Sequence, residues 1–353
     1  MAIKVLVVDD SAFMRQVLTR MLEEDREHGI EVVATARDGA DALAKIAAFK
    51  PDVVTLDVDM PNMDGLECLA KIMSDSPLPV IMVSSFTIAG AEPTLKALEL
   101  GAIDYITKPS VSVPELLNTI KEDLIKKVLT ASAIKPTKLK TINDQTSVKP
   151  QPASTSEIVN LTSLELLAIG SSTGGPRALY YLLPLLPKNF PLGVVIAQHM
   201  PKEFTKVFAQ RLDTLCQVEV REAVDGDQIK PGLVLIAPAG KQTAVVRNGN
   251  GLKVVITEEP VLLFKPSVDY LFDSIAKCCK DKVIGLIMTG MGSDGAIGMK
   301  KMRDAGARTI AESEDSCVVF GMPRVAIEMG GAEFVESLPL IFPKIEAILT
   351  QKA

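Results

Sequence analysis

Residues 164–179 read LELLAIGSSTGGPRAL, an apolar run that breaks into small residues and then resumes with helix-forming ones. The run up to Gly170 has strand composition, and Pro176 suits a first helical turn, where its missing N–H is not needed. Strand, tight turn and helix in that order form the building unit of an α/β fold. Within the turn, Gly170-Ser171-Ser172-Thr173-Gly174 fits G-x-S-x-G, a pattern that presents the middle serine at a strand-to-helix elbow. The same turn admits a second reading, a glycine-rich cradle whose backbone N–H groups hold a phosphate at a helix N-terminus.

The next strand favours the serine. LGVVIAQH (192–199) ends in Gln198-His199, where a dinucleotide fold wants an acidic ribose ligand, and a histidine there suits acyl transfer. Further on, VIGLIMTGMGSDGA (283–296) carries Asp294 in another glycine-rich turn after a strand, where a carboxylate can orient an imidazole. Ser172, His199 and Asp294 are therefore the expected nucleophile, base and orienting acid. The chain has two histidines, and His28 lies in the polar stretch EEDREHGI, which leaves His199 as the candidate base. The order Ser, His, Asp differs from the Ser, acid, His order of α/β-hydrolases. A helix near KEFTKVFAQRL and a strand at LVLIAP continue the alternation, and TAVVRNGNGLKVVIT (243–257) predicts an antiparallel hairpin turning near Asn248–Gly251 on the sheet edge.

Upstream, five short apolar runs alternate with five helical patterns, beginning IKVLVVDD and SAFMRQVLTRMLEE, which predicts a parallel, doubly wound sheet. Between the halves, Thr130–Glu157 holds three prolines and many Ser and Thr without apolar periodicity. The expected division is a first domain over 1–125, a flexible linker over 126–157 and a second domain over 158–353. Asp9 and Asp10 follow the first strand, Asp57 the third and Lys108-Pro109 the fifth, and the carboxyl ends of parallel strands share one edge. Clustered carboxylates repel one another and call for a hard cation such as Mg²⁺. An aspartate that takes up a phosphoryl group fits this set, with Lys108 as the point charge and Ser84 as a hydroxyl donor.

Bulk properties exclude several classes. The chain has 353 residues, 47% hydrophobic and 23% charged, the balance of a globular protein, and its net charge of −6 leaves no basic excess for nucleic acid. The N-terminal apolar run is too short for a signal peptide or a membrane span. The five cysteines, two of them adjacent at 278 and 279, lack zinc-ligand spacing and read as reduced thiols.

VVDDSAFMR, DVDMPNMDG, MVSS and YITKP resemble the receiver domains of two-component response regulators. That resemblance implies a flavodoxin-like domain phosphorylated on Asp57 by a histidine kinase. It also implies Mg²⁺ held by Asp10, Asp57 and the Asp59 carbonyl, with Asp9 assisting through water, and Ser84 and Lys108 sensing the phosphoryl group. Ser84 stands where these domains usually carry threonine. IGSSTGGPRAL, AQHMP, MTGMGSDGA and SCVVFGMP make the second half similar to the catalytic domain of the chemotaxis protein-glutamate methylesterase (CheB) family. This implies a Rossmann-like domain, Ser172 in preference to Ser171 as nucleophile, and oxyanion donors at Thr173 and Met291. No cofactor is implied for the hydrolase. The implied substrates are γ-glutamyl methyl esters, and selected glutamines, of methyl-accepting chemoreceptors. The implied setting is the cytoplasm, with a CheA-like kinase as partner, no nucleic acid and no membrane insertion, and an unphosphorylated receiver packed over the catalytic cleft. A phosphorylation-controlled adaptor without catalysis, or a serine hydrolase for another protein ester or amide, remains an alternative.

Overall fold

The computed structural model describes residues 2–25, 27–84, 88–108, 114–134, 139, 162–249 and 251–350, and the chain divides into two compact units, Met1–Asp144 and Gln145–Ala353.

The first unit alternates β1 (Ile3–Val8), α1 (Ala12–Glu23), β2 (Ile30–Ala36), α2 (Gly39–Phe49), β3 (Val53–Asp57), α3 (Gly65–Asp75), β4 (Val80–Ser84), α4 (Ile88–Leu100), β5 (Asp104–Thr107) and α5 (Pro114–Ser132). The five strands are parallel in the order β2-β1-β3-β4-β5, so the chain reverses direction between β1 and β3, the crevice where open α/β sheets bind ligands. Short polar residues start the helices. Ser11, Asp38 and Asp64 accept the backbone N–H groups of Met14, Asp41 and Glu67, satisfying donors that a first turn leaves open. Val5, Val7, Val53, Ile81, Val83 and Ile106 pack with Leu18 and Leu22 of α1 and Leu124, Val128 and Ala131 of α5. These last contacts carry α5 through to Ser132, so its end takes in residues assigned from sequence to the linker. The remainder of that segment, apart from the turn at 133–134 and Leu139, lies outside the described residues.

The second unit begins β6 (Leu166–Ser171), α6 (Gly175–Leu182), a single 3-10 turn (Leu183–Leu185), β7 (Gly193–Gln198), α7 (Phe204–Asp213), β8 (Glu219–Glu222), β9 (Gln228–Ile229) and β10 (Leu233–Ile236). It continues β11 (Gln242–Asn248), β12 (Gly251–Thr257), α8 (Val268–Cys279), β13 (Val283–Ile287), α9 (Ala296–Asp304), β14 (Arg308–Glu312), α10 (Met322–Glu328), β15 (Phe334–Glu336) and α11 (Leu338–Thr350). Seven parallel strands run β15-β14-β13-β6-β7-β10-β8. Strands β6, β7, β10 and β13 are buried along their whole length, as strands covered on both faces must be, which explains their unbroken apolar runs. Gly170 in β6 is required by packing: a Cβ there would overlap Val268 Cγ1 of α8. The hairpin predicted for 243–257 forms as β11–β12. Its place differs: it is not an edge of the large sheet, because β12 pairs with β9 to give a separate three-stranded antiparallel sheet, and Val245 N donates to Ser274 Oγ of α8.

Candidate active site

In the first unit the carboxylates of Asp9, Asp10 and Asp57 gather at the β1/β3 crevice, with one oxygen from each lying within 4.8 Å of the others. The Arg15 guanidinium fixes the turn after β1 by donating to the carbonyls of Asp9 and Asp10 at 2.8 and 3.0 Å. Lys108, following β5, puts Nζ 3.0 Å from Asp9 Oδ2 and 2.7 Å from Asp57 Oδ2. Those two oxygens are buried, and the Lys108 ammonium is their counter-charge. Burial pushes the Asp57 carboxyl up to about 6, a rise that Lys108 opposes and the Asp9 charge reinforces. Burial pulls Lys108 down, but the carboxylates of Asp57 and Asp9 win and hold it above the usual lysine value.

Asp59 is exposed beyond β3, and its carboxylate stands outside the three-carboxylate group; the sequence expectation concerned its main-chain carbonyl. Ser84 is buried, with Oγ 2.6 Å from the Thr94 hydroxyl and 3.2 Å from the Gly90 carbonyl, both on α4. Thr94 is a partner that the sequence did not single out. Pro109 lies outside the described residues.

In the second unit the chain reverses between β6 and β13, and Ser172, His199 and Asp294 follow β6, β7 and β13 at that crevice. His199 Nδ1 lies 3.2 Å from Ser172 Oγ and His199 Nε2 lies 2.8 Å from Asp294 Oδ2. The turn around Ser172 is closed by Gly175 N donating to the Ser172 carbonyl at 2.8 Å. It passes through Gly174 at φ +79°, where a side chain would also strike Val318. Ser172 N donates to Thr289 O, and His199 N donates to Ser171 O, so backbone bonds set the serine and the imidazole relative to one sheet.

Asp294 is gripped by the start of α8. Its Oδ2 accepts from Val268 N at 2.7 Å; its Oδ1 accepts from Ser267 Oγ at 2.9 Å and Asp269 N at 3.0 Å. The positive end of the helix dipole favours an anion there. Burial alone would raise its pKa, but His199 and these backbone N–H groups outweigh burial and keep Asp294 below the usual aspartate value.

The structure separates the two neighbouring serines. Ser171 is wholly buried and donates to Gln198 Oε1 at 2.7 Å, while Gln198 Nε2 donates to the carbonyls of Ser172 and His199. Thr173 adjoins Ser172 on the helix side. The 290–292 turn presses against the serine from β13, since a Cβ on Gly290 would lie 2.9 Å from Ser172 Cβ, which brings Met291 beside the elbow. Behind this turn, Thr289 N donates to the buried Glu312 carboxylate, which also accepts from Ser316 Oγ.

Two features have no signature in the sequence. The Phe264 ring lies flat on the His199 imidazole, with centroids 4.2 Å apart and planes 9° apart. Gln242, fully buried, fixes the loop bearing Phe264 by donating to Phe264 O at 2.9 Å and accepting from Ser267 N at 2.9 Å. Ser267 had a weak signal, a serine directly before the helical pattern VDYLF.

Comparison with known proteins matches each half of the chain to a family. Residues 5–121 match the family described as response regulator receiver domain, and residues 167–345 the one described as CheB methylesterase. The protein-glutamate methylesterase/protein-glutamine glutaminase of Halalkalibacterium halodurans is 48% identical over 344 residues, 97% of each chain. That of Salmonella typhimurium is 48% identical over 95% of this chain and 94% of its own. The crystal structure of the Thermotoga maritima CheB methylesterase catalytic domain aligns with a TM-score of 0.51 at 41% identity, covering 53% of this chain and all of that one. With identity of this degree along nearly its whole length, the chain belongs to the protein-glutamate methylesterase/protein-glutamine glutaminase family, a receiver domain preceding a CheB methylesterase domain.

Proposed function

We propose that this protein is a phosphorylation-activated methylesterase that hydrolyses γ-methyl esters of glutamate on bacterial chemoreceptors, releasing methanol, and deamidates receptor glutamines at the same centre. The observation that carries the reading is the continuous line Ser172 Oγ, His199 Nδ1, His199 Nε2, Asp294 Oδ2, with its two short links. Ser172 Oγ attacks the ester carbonyl while His199 Nδ1 takes its proton. Asp294, held ionised by the N-terminus of α8, stabilises the imidazolium. The C–OCH₃ bond then breaks, and His199 returns the proton to methoxide. Water, deprotonated by the same imidazole, hydrolyses the acyl-serine to a carboxylate and restores the hydroxyl. With glutamine the leaving group is ammonia. The backbone N–H groups of Thr173 and Met291 are the donors assigned to the oxyanion.

Receiver domains are phosphorylated with the help of Mg²⁺. Here Asp9, Asp10 and Asp57 supply hard oxygen donors, and the partly neutralised buried oxygens of Asp9 and Asp57 suit a further cation. When bound, Mg²⁺ would screen the incoming phosphoryl charge and keep Asp57 ionised. Lys108 would pair with the phosphoryl oxygens, and the Ser84 hydroxyl would turn from Thr94 and Gly90 toward the group. An acyl phosphate at Asp57 adds about −1.5 to −2 charges, a change large enough to reset the loops that hold Ser84 and Lys108. The phosphodonor is a chemotaxis histidine kinase and the setting is the cytoplasm. Among the described residues no helix is long and apolar enough to cross a membrane.

The experiment is methanol release from methylated chemoreceptor membranes by wild type and Ser172→Ala, with and without acetyl phosphate and Mg²⁺. Release that requires Ser172 and rises with phosphodonor is expected. No release from a protein that still accepts phosphate would transfer the assignment to another ester, or to a phosphorylation-controlled adaptor.

A further inference from the structure

The loop between β12 and α8 leaves the reaction centre in an unusual way. Phe264 covers the His199 ring, and the three residues before it, Val261, Leu262 and Leu263, are 72%, 41% and 88% exposed. Exposed aliphatic residues are common when scattered. Here they are contiguous: the other large apolar residues exposed in the described structure, such as Phe49, Leu215, Val224 and Leu340, each stand alone in the sequence. A slack loop would turn such side chains inward, but this one is tied at both ends. Gln242 Nε2 bonds the carbonyls of Pro260 and Phe264, at 3.4 and 2.9 Å, so one buried amide closes the loop at its base. Lys265 adds two further ties, through Nζ to Glu258 O at 2.8 Å and through its carbonyl to Gly240 N at 2.9 Å. The result is an apolar projection whose ordering cost is met within the fold, the kind of surface that gives up least entropy when a partner covers it.

We infer that Val261, Leu262 and Leu263 form a docking lip for the protein substrate, taking apolar side chains that flank the esterified glutamate on the receptor surface. This rests on the receptor methylesterase reading above. The occupant follows from continuity with the triad: Phe264, which stacks on the imidazole beside Ser172 Oγ, directly follows the three exposed residues, so a protein whose ester reaches Ser172 lies close to them. Free ester molecules have nothing to lay on it. The lip therefore selects glutamates whose neighbours are apolar and contributes to capture more than to the chemical step.

The test is steady-state methanol release from methylated chemoreceptor membranes by the full-length protein with acetyl phosphate and Mg²⁺, comparing wild type with Val261→Ser/Leu262→Ser/Leu263→Ser and with Leu262→Met/Leu263→Met. Expected are a rise in KM of roughly tenfold or more for the serine triple variant with kcat within a few-fold, an unchanged melting temperature, and near wild-type KM for the methionine variant. A wild-type KM in the triple variant would overturn the lip, as would a loss confined to kcat, which would mean that the loop acts only through Phe264 on His199. Absence of release by wild type itself is a different result, since it defeats the receptor as substrate.

Discussion

The imidazole of His199 meets Ser172 through Nδ1 and Asp294 through Nε2, so the base-competent tautomer carries its hydrogen on Nε2. Asp294→Asn would offer that nitrogen an amide in place of a carboxylate and stabilise the wrong tautomer. The expected loss in kcat for methanol release is roughly 10⁴-fold, with the fold retained. Because Asp294 sits below the usual aspartate pKa in the folded protein, its ionised form contributes stability that is present above the unfolded value of 3.8 and lost as pH falls through the folded one. The gap in melting temperature between wild type and Asp294→Asn should therefore narrow in acid, read by thermal denaturation at pH 7 and pH 3.

Ser171 and Ser172 should fail in different ways. Ser172→Ala removes the proposed nucleophile and should lower turnover by roughly 10³ or more. Ser171→Ala leaves Gln198 Oε1 without its buried donor, which costs about 1–3 kcal/mol of stability while most activity persists. Denaturant titration beside a methanol assay reads both effects, and equal activity of the two variants would overturn the assignment.

Asp57 has the opposite pH signature to Asp294. With its folded pKa raised to about 6 by burial, the protonated form is favoured in the fold. Stability from this group is complete below the unfolded value of 3.8 and declines as pH rises through about 6. In metal-free buffer Asp57→Asn should therefore gain melting temperature relative to wild type between pH 4 and pH 7. Mg²⁺ should then raise wild type selectively, since a ligand bound only by the native state stabilises it. Parallel pH curves for the two proteins would count against this.

Phe264→Ala removes a flat contact with the imidazole of the kind worth about 0.5–1.5 kcal/mol between aromatic rings. We expect kcat to fall by up to roughly tenfold, with Phe264→Tyr close to wild type. A kcat unchanged in Phe264→Ala would show that backbone bonds alone hold the ring.

Much of both sites was legible in the sequence because parallel sheets gather strand ends. Asp9, Asp57 and Lys108 in one half, and Ser172, His199 and Asp294 in the other, lie at or just beyond strand ends, so topology brings together residues as distant in sequence as Ser172 and Asp294. Phe264 and Gln242 escaped because they lie outside any periodic pattern: one sits in a loop, and the other stands just before the alternating run at 243–257, where a lone glutamine at a strand start does not announce a buried tie to a distant loop. The β11–β12 hairpin was visible from its turn residues, but its allegiance to β9 depends on a two-residue strand too short to leave a pattern. The continuation of α5 to Ser132 was hidden by the Ser and Thr content of its last turn, which the burial of Val128 and Ala131 overrides.

Gly170 gives the hydrophobic core a hold on the chemistry. The Val268 side chain that fills the space above this glycine belongs to the residue whose N–H fixes Asp294 Oδ2. An added methyl at 170 must push that residue away, and the Asp294 carboxylate with it. A random search for inactive variants should thus recover a position that touches no substrate and bears no functional group. Its phenotype would be an enzyme that is folded, phosphorylatable and out of alignment.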